Sequence, residues 1–215
     1  MKKSRKNLKG FTLIELIIAL GISTMLLSGA LALLLPSNQM YNDTVKIQQQ
    51  REINKMLTNG INERVRFAED VIVIKNTSDY PSCTSMKYND YQVIRISDAD
   101  YTYNGKTVKG RVFYMDKLTG GTEKKLISDH ISGKFSYKIN VTASGYDINT
   151  EVNLFRVDYK GNTVDKLKTL NAVRLKNYEL ALNSLTEHDA STLTTQPITG
   201  LTIKPSGNNT IILYK

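Results

Sequence analysis

The chain has 215 residues, enough for one globular domain with an additional element but short for two full domains. It is 40% hydrophobic with a formal charge of +9, but Lys2, Lys3, Arg5, Lys6 and Lys9 all precede Gly10, so the remainder carries only +4 and gives no ground for a nucleic-acid partner. Cys83 is the only cysteine, which excludes an intramolecular disulfide.

Residues 1–10 are basic and polar, and between Phe11 and Leu35 the only ionisable side chain is Glu15. Twenty residues, Leu16 to Leu35, span about 30 Å as a helix, the thickness of a bilayer core. Basic residues before the span and few after it predict an amino terminus held in the cytoplasm. Two simpler readings compete. A secretory signal peptide also begins basic and then apolar, and Ala30-Leu31-Ala32 has the small-x-small cleavage pattern. Cleavage there, however, would leave Leu33-Leu34-Leu35 at the new terminus, so the apolar run does not stop where a cleavage region begins. A plain membrane anchor accounts for length and charge asymmetry. It does not account for Glu15, because an acid inside an apolar span costs free energy and is usually functional.

Lys9-Gly10-Phe11-Thr12-Leu13-Ile14-Glu15 resembles the processing site of type IV prepilins and pseudopilins. The resemblance joins a basic leader, a small residue at the cut, an aromatic start, an acid at the fifth mature position and a continuing apolar helix. It implies that a membrane prepilin peptidase cuts after Gly10 and N-methylates Phe11. The glycine suits a cut site physically, since it has no side chain to obstruct a protease and unwinds easily. Glu15 lies one helical turn beyond Phe11. Once cleavage frees the Phe11 ammonium, Glu15 is placed to neutralise it within the subunit or on a neighbour, and an unpaired ion in a low-dielectric setting is strongly disfavoured. The resemblance assigns the matching glutamate this role in setting subunit register.

Pro36 is expected to kink the helix or end its first segment. Ile53, Leu57, Ile61, Val65 and Ala68 then recur at helical spacing, with Glu52, Lys55, Glu63, Arg66 and Asp70 on the opposite face, predicting an amphipathic helix to about Asp70. Gly60 weakens it by about 1 kcal/mol relative to Ala. Alternation then predicts strands at Val71–Ile74, Tyr91–Ile96, Gly110–Met115 and, after a Thr119–Thr122 turn, Lys125–Ile127. Phe135, Tyr137, Ile139 and Val141 define one face of a further strand; residues 148–157 are its expected antiparallel partner, with a bulge near Phe155. A strand is expected at Val173-Arg174-Leu175 within 172–182, and a hairpin pairing Leu201–Ile203 with Ile211–Leu213.

The fold expected is α+β and pilin-like: a long amino-terminal helix, membrane-spanning in its first half, packed on a mainly antiparallel sheet. Residues 1–10 form a cleaved leader, 11–35 the transmembrane and assembly helix, and 36–215 the globular domain. The Arg/Glu-rich helix end and the strand around Phe135-Ser136-Tyr137 also resemble the larger J-type minor pseudopilins.

No phosphate-binding loop, nucleophile elbow or paired zinc motif is present in the sequence. His130 and His188 are isolated, and Cys83 has no flanking base. Asp98 to Gly105 alternates oxygen ligands, but the glycine is misplaced for an EF-hand and no closing Glu follows, so a hairpin turn is expected. Tyr80, Tyr88, Tyr91, Tyr101 and Tyr103 beside Lys87 and Lys106 could stack on single-stranded DNA, or be half-buried strand residues, the reading preferred.

Together these features predict a non-enzymatic structural subunit, a minor pilin or pseudopilin of a type IV pilus or related secretion or competence filament, without cofactor or metal. By the resemblance its partners are other pilin subunits, the prepilin peptidase, the inner-membrane assembly platform and, before assembly, membrane lipid. It is expected in the cytoplasmic membrane and then in an extracellular filament. The alternative is a filament-borne binding module, an adhesin or DNA receptor.

Overall fold

The computed structural model describes residues 11–157, 162–177 and 185–215. The chain divides into two compact units, Met1–Gln49 and Gln50–Lys215. All that is described of the first unit beyond Phe11 and Thr12 belongs to helix α1 (Leu13–Val65). Pro36 does not end α1, whose assignment is unbroken across it. A proline removes one N–H, the one that would face the Ala32 carbonyl, and the turns on either side keep their own bonds.

In the second unit α1 buries Ile53, Leu57, Ile61 and Val65, each at most 2% exposed. The periodic stripe read from the sequence is therefore its core face. The helix stops at Val65 rather than near Asp70 because the next backbone groups find other partners. The Glu69 N–H donates to the Lys215 carbonyl at 2.6 Å, and the Lys215 N–H donates to the Asp70 carbonyl at 3.0 Å. Gly60 has a packing reason: a Cβ there would lie 2.9 Å from a methyl of Leu126.

The strands are β1 (Val71–Thr77), β2 (Ser82–Cys83), β3 (Gln92–Tyr103), β4 (Lys106–Met115), β5 (Lys124–Lys125), β6 (Ser136–Ser144), β7 (Asp147–Val157), β8 (Thr163–Arg174), β9 (Glu187–Asp189), β10 (Leu201–Thr202) and β11 (Asn209–Tyr214). Short helices α2 (Asp129–Ser132) and α3 (Ala190–Thr195) lie between them. A six-stranded sheet has the order β5-β4-β3-β11-β1-β9, and a three-stranded sheet the order β6-β7-β8. Every pairing is antiparallel except that of β1 with β9. The α+β architecture, a long apolar amino-terminal helix whose later turns pack on mostly antiparallel sheet, is the expected one.

The core explains why the central strands read as unbroken apolar runs. Val73 and Ile212 face α1 and the three-stranded sheet, in one cluster with Leu57, Ile61, Tyr137 and Val152. Ile72, Ile74, Ile211 and Leu213 face the other way and pack with Tyr88, Tyr91, Met115 and Leu193. A strand covered on both faces loses its alternation.

Several local expectations need correction. The carboxyl-terminal hairpin does not form: Leu201 and Thr202 pair with Cys83 and Ser82, while β11 inserts between β1 and β3. Burial on both faces demands neighbours on both edges of β11, which one hairpin partner would not supply. The strand expected at Lys125–Ile127 is instead Lys124–Lys125. Val173 and Arg174 are the end of β8, which starts at Thr163; residues 178–182 of that expected region lie outside the described residues. The bulge near Phe155 is present as a register shift between Leu154 and Arg156 against β8. Asn104 (φ 48°) and Gly105 (φ 74°) make the two-residue turn between β3 and β4, as both central residues of a type I′ turn require.

The two larger sheets meet where β4 passes β6, without a continuous ladder. The Lys109 N–H donates to Ser136 Oγ at 2.9 Å, and the Val112 N–H to Tyr137 Oη at 3.2 Å. Burial pushes the Tyr137 hydroxyl up to about 12. Between them Gly110 has φ +80°, and a Cβ there would fall 1.8 Å from the Tyr137 carbonyl oxygen. Beside it Arg111, only 2% exposed, donates to the Gly110 carbonyl at 2.7 Å and to Asp129 Oδ1 at 3.2 Å. Lys125 bonds the other carboxylate oxygen of Asp129.

Gly110→Ala is therefore expected to cost more than about 1 kcal/mol, read as a lowered midpoint in chemical denaturation. Asp129→Asn should cost about 1.5–3 kcal/mol at neutral pH, because a buried guanidinium loses its counter-ion. The Lys125 bond, with Arg111 nearby, holds the Asp129 carboxyl below the usual range. Its contribution is thus complete above the unfolded value of about 4 and is lost as pH falls through the lower folded value. The difference between wild type and Asp129→Asn should accordingly shrink in acid. A pH-independent difference would contradict this account.

Candidate functional site

From Phe11 to Leu35 the helix has no protein around it. The 18-residue window of highest mean hydropathy, 2.2, is 0% buried, and α1 is the one helix among the described residues long and apolar enough to cross a membrane. Phe11 is 89% exposed and Leu13 79%. An apolar surface of this extent requires lipid or other helices to cover it. Two of its hydroxyls are internally satisfied: those of Thr24 and Ser28 donate to the carbonyls of Gly21 and Met25, both at 2.9 Å. Such back-bonding makes hydroxyls tolerable where water is absent.

The start of α1 is built by Thr12 and Glu15. The Thr12 carbonyl accepts from the Leu16 N–H at 3.3 Å, which makes Thr12 the residue flanking the first turn. Its N–H and its hydroxyl each donate to Glu15 Oε2 at 2.9 Å, and the Glu15 N–H donates to Thr12 Oγ1 at 3.4 Å. This reciprocal arrangement is a capping box, which satisfies donors that the first turn leaves without carbonyl partners. The single acid of the apolar run also sits at the helix end where negative charge is favoured.

Phe11, Thr12 and Glu15 are thus gathered at the mouth of the helix, while Gly10 lies outside the described residues. The sequence reading paired Glu15 with Phe11 and missed Thr12. Thr12-x-x-Glu15 ahead of an apolar run was the available signal.

Among the described residues there is no group of three or more His, Cys, Asp or Glu that could hold a metal. His130 is exposed in α2, His188 is half-buried in β9, and the Cys83 thiol bonds the Ser85 carbonyl. The tyrosine-rich stretch is not a free stacking platform. Tyr88 and Tyr91 are each 3% exposed and meet edge to face at 5.3 Å. Tyr80 bonds Glu123, which also accepts from Arg95 Nε at 2.8 Å.

Residues 5–31 match the family model of the prokaryotic N-terminal methylation motif. The match takes in the second half of the basic leader, Gly10, the capping box and most of the apolar run, and marks the chain as type IV pilin-like. No curated protein and no solved structure matches the chain. The motif implies membrane anchoring followed by a pilus-type filament, with other pilin subunits and a prepilin peptidase as partners.

Thr12→Ala removes half of the capping box and should loosen the first turn by about 1 kcal/mol. In lipid, hydrogen exchange at the Glu15 and Leu16 amides should then accelerate about fivefold, with Thr12→Ser restoring protection. Unchanged exchange in Thr12→Ala would show that the box does not hold the helix end.

Proposed function

We propose that this protein is a minor pilin or minor pseudopilin, made as a membrane-anchored precursor and built into a filament that it helps to start or assemble. The observation that carries the reading is the coincidence of the methylation motif at residues 5–31 with an uncovered apolar helix holding one acid. In this reading the basic leader stays in the cytoplasm, and a prepilin peptidase at the membrane hydrolyses the Gly10–Phe11 bond. The new Phe11 amine is methylated. The assembly platform then transfers the subunit from lipid into an extracellular filament, where the Phe11–Leu35 segments of neighbours replace lipid as cover.

Glu15 has two tasks in succession. Before cleavage Phe11 carries an amide, and the carboxylate caps the helix through Thr12. Cleavage puts an ammonium one turn away, a stronger partner than an amide donor. The ion pair, within or between subunits, neutralises the terminus in an environment that penalises single charges. A trimmed length of 205 residues, most of them in the second unit with its many loops, favours a subunit used in few copies over a densely repeated shaft protein.

Expression of Glu15→Ala in the native host tests this directly. Membrane insertion and trimming should persist, since leader and cut site are unchanged, while the trimmed protein should be lost from sheared filaments by immunoblot. Wild-type amounts in the filament fraction would refute the register role. Gly10→Leu, in contrast, should block trimming itself.

A further inference from the structure

A cleft of about 360 Å³ lies within the second unit between α1 and β8, away from the amino-terminal motif. Its α1 wall carries Arg51 and Lys55, one helical turn apart and therefore on the same side. Both are exposed, and among the described residues neither takes part in an ion pair. The β8 wall contributes Leu167, Thr169 and Asn171.

The walls are joined by a side-chain bond that leaves one donor over. Asn54 Nδ2 donates to Thr169 Oγ1 at 2.7 Å, and Thr58 Oγ1 donates to Asn54 Oδ1 at 3.3 Å, so both ends of the Asn54 amide are engaged. Asn171 is different: its Nδ2 is buried and has no acceptor. One rung across the β7–β8 ladder, the hydroxyl of Thr150, a residue only 1% exposed, is also without a partner. Buried donors left unpaired are rare in native proteins and call for an explanation. Within the cleft, the Asn171 donor lies beside two unpaired cations.

We infer that this cleft binds a carboxylate, presented as an acidic side chain of a protein segment. A carboxylate is planar and accepts from the Arg51 guanidinium in fork geometry, and each of its oxygens keeps a second lone pair for Lys55 or the Asn171 amide. Leu167 gives the methylene stem of an Asp or Glu an apolar surface, which a free inorganic anion would leave unused. The site is independent of processing at Gly10, and its occupant enters from solvent along the open side of the cleft.

The test uses the full chain in detergent micelles with ¹⁵N-labelled asparagine. It is titrated with a short acetylated, amidated Glu-Glu peptide, the Gln-Gln peptide, acetate and inorganic phosphate. The Asn171 side-chain amide resonance should move with the Glu peptide and with acetate, more weakly with acetate, and stay still with the Gln peptide. The Arg51→Gln/Lys55→Gln double variant should lose at least tenfold in affinity for the Glu peptide. Lys46→Gln, on the same helix but outside the cleft, should lose less than twofold. The proposal is overturned if Asn171 does not respond or responds equally to the Gln peptide. It is also overturned if phosphate binds as tightly as the Glu peptide, or if Lys46→Gln weakens binding as much as the double variant.

Discussion

The apolar surface between Phe11 and Leu35 cannot remain in water. Fully burying one Leu, Ile or Phe side chain contributes about 1.5–3 kcal/mol, and the segment has fifteen large apolar side chains exposed. Whatever covers them, lipid first and then neighbouring helices in the account developed above, contributes far more free energy than any polar contact of the segment. Polar groups within it are few, and most of them are satisfied by the helix itself. Thr24 and Ser28 return their hydroxyls to the helix, and Glu15 sits at its first turn rather than its middle. The placement of the one acid follows from the medium.

The same helix obeys a second rule in the second unit. There the apolar residues narrow to a stripe, because α1 has a sheet on one side and solvent on the other. Covering both faces of the six-stranded sheet sets the remaining architecture: α1 and the three-stranded sheet on one face, and α3 with the β2–β10 pair on the other. Gly110 and Arg111 sit where β4 must approach β6 closely, and their substitution would be felt by both sheets.

Strong patterns in the sequence correspond to strong physical demands. The Ile53–Val65 stripe and the alternating Phe135–Val141 strand were legible because each buries a continuous surface, and the apolar span because its length and lack of charge suit a bilayer. The pairing of β11 was not. Ile211-Ile212-Leu213 announces a strand buried on both faces but does not say which strands flank it, and sequence proximity pointed to the wrong one. β9 has three polar residues, Glu187, His188 and Asp189, and gains its place only through the adjacent edge of β1. The first part of β8 was hidden by its lysines, since an edge strand with an exposed face carries little apolar signal. At the candidate site Glu15 stood out by its cost in an apolar run, whereas Thr12, uncharged and local in action, did not.

The central claim is that the chain is cut at Gly10 and that Phe11 begins the working subunit. Intact-mass and peptide mass spectrometry of the protein recovered from sheared filaments tests it most directly. The account predicts a chain starting at Phe11 with one added methyl group on its amino nitrogen. A chain starting at Met1, or one starting at Leu33 after ordinary signal-peptide cleavage, would contradict it.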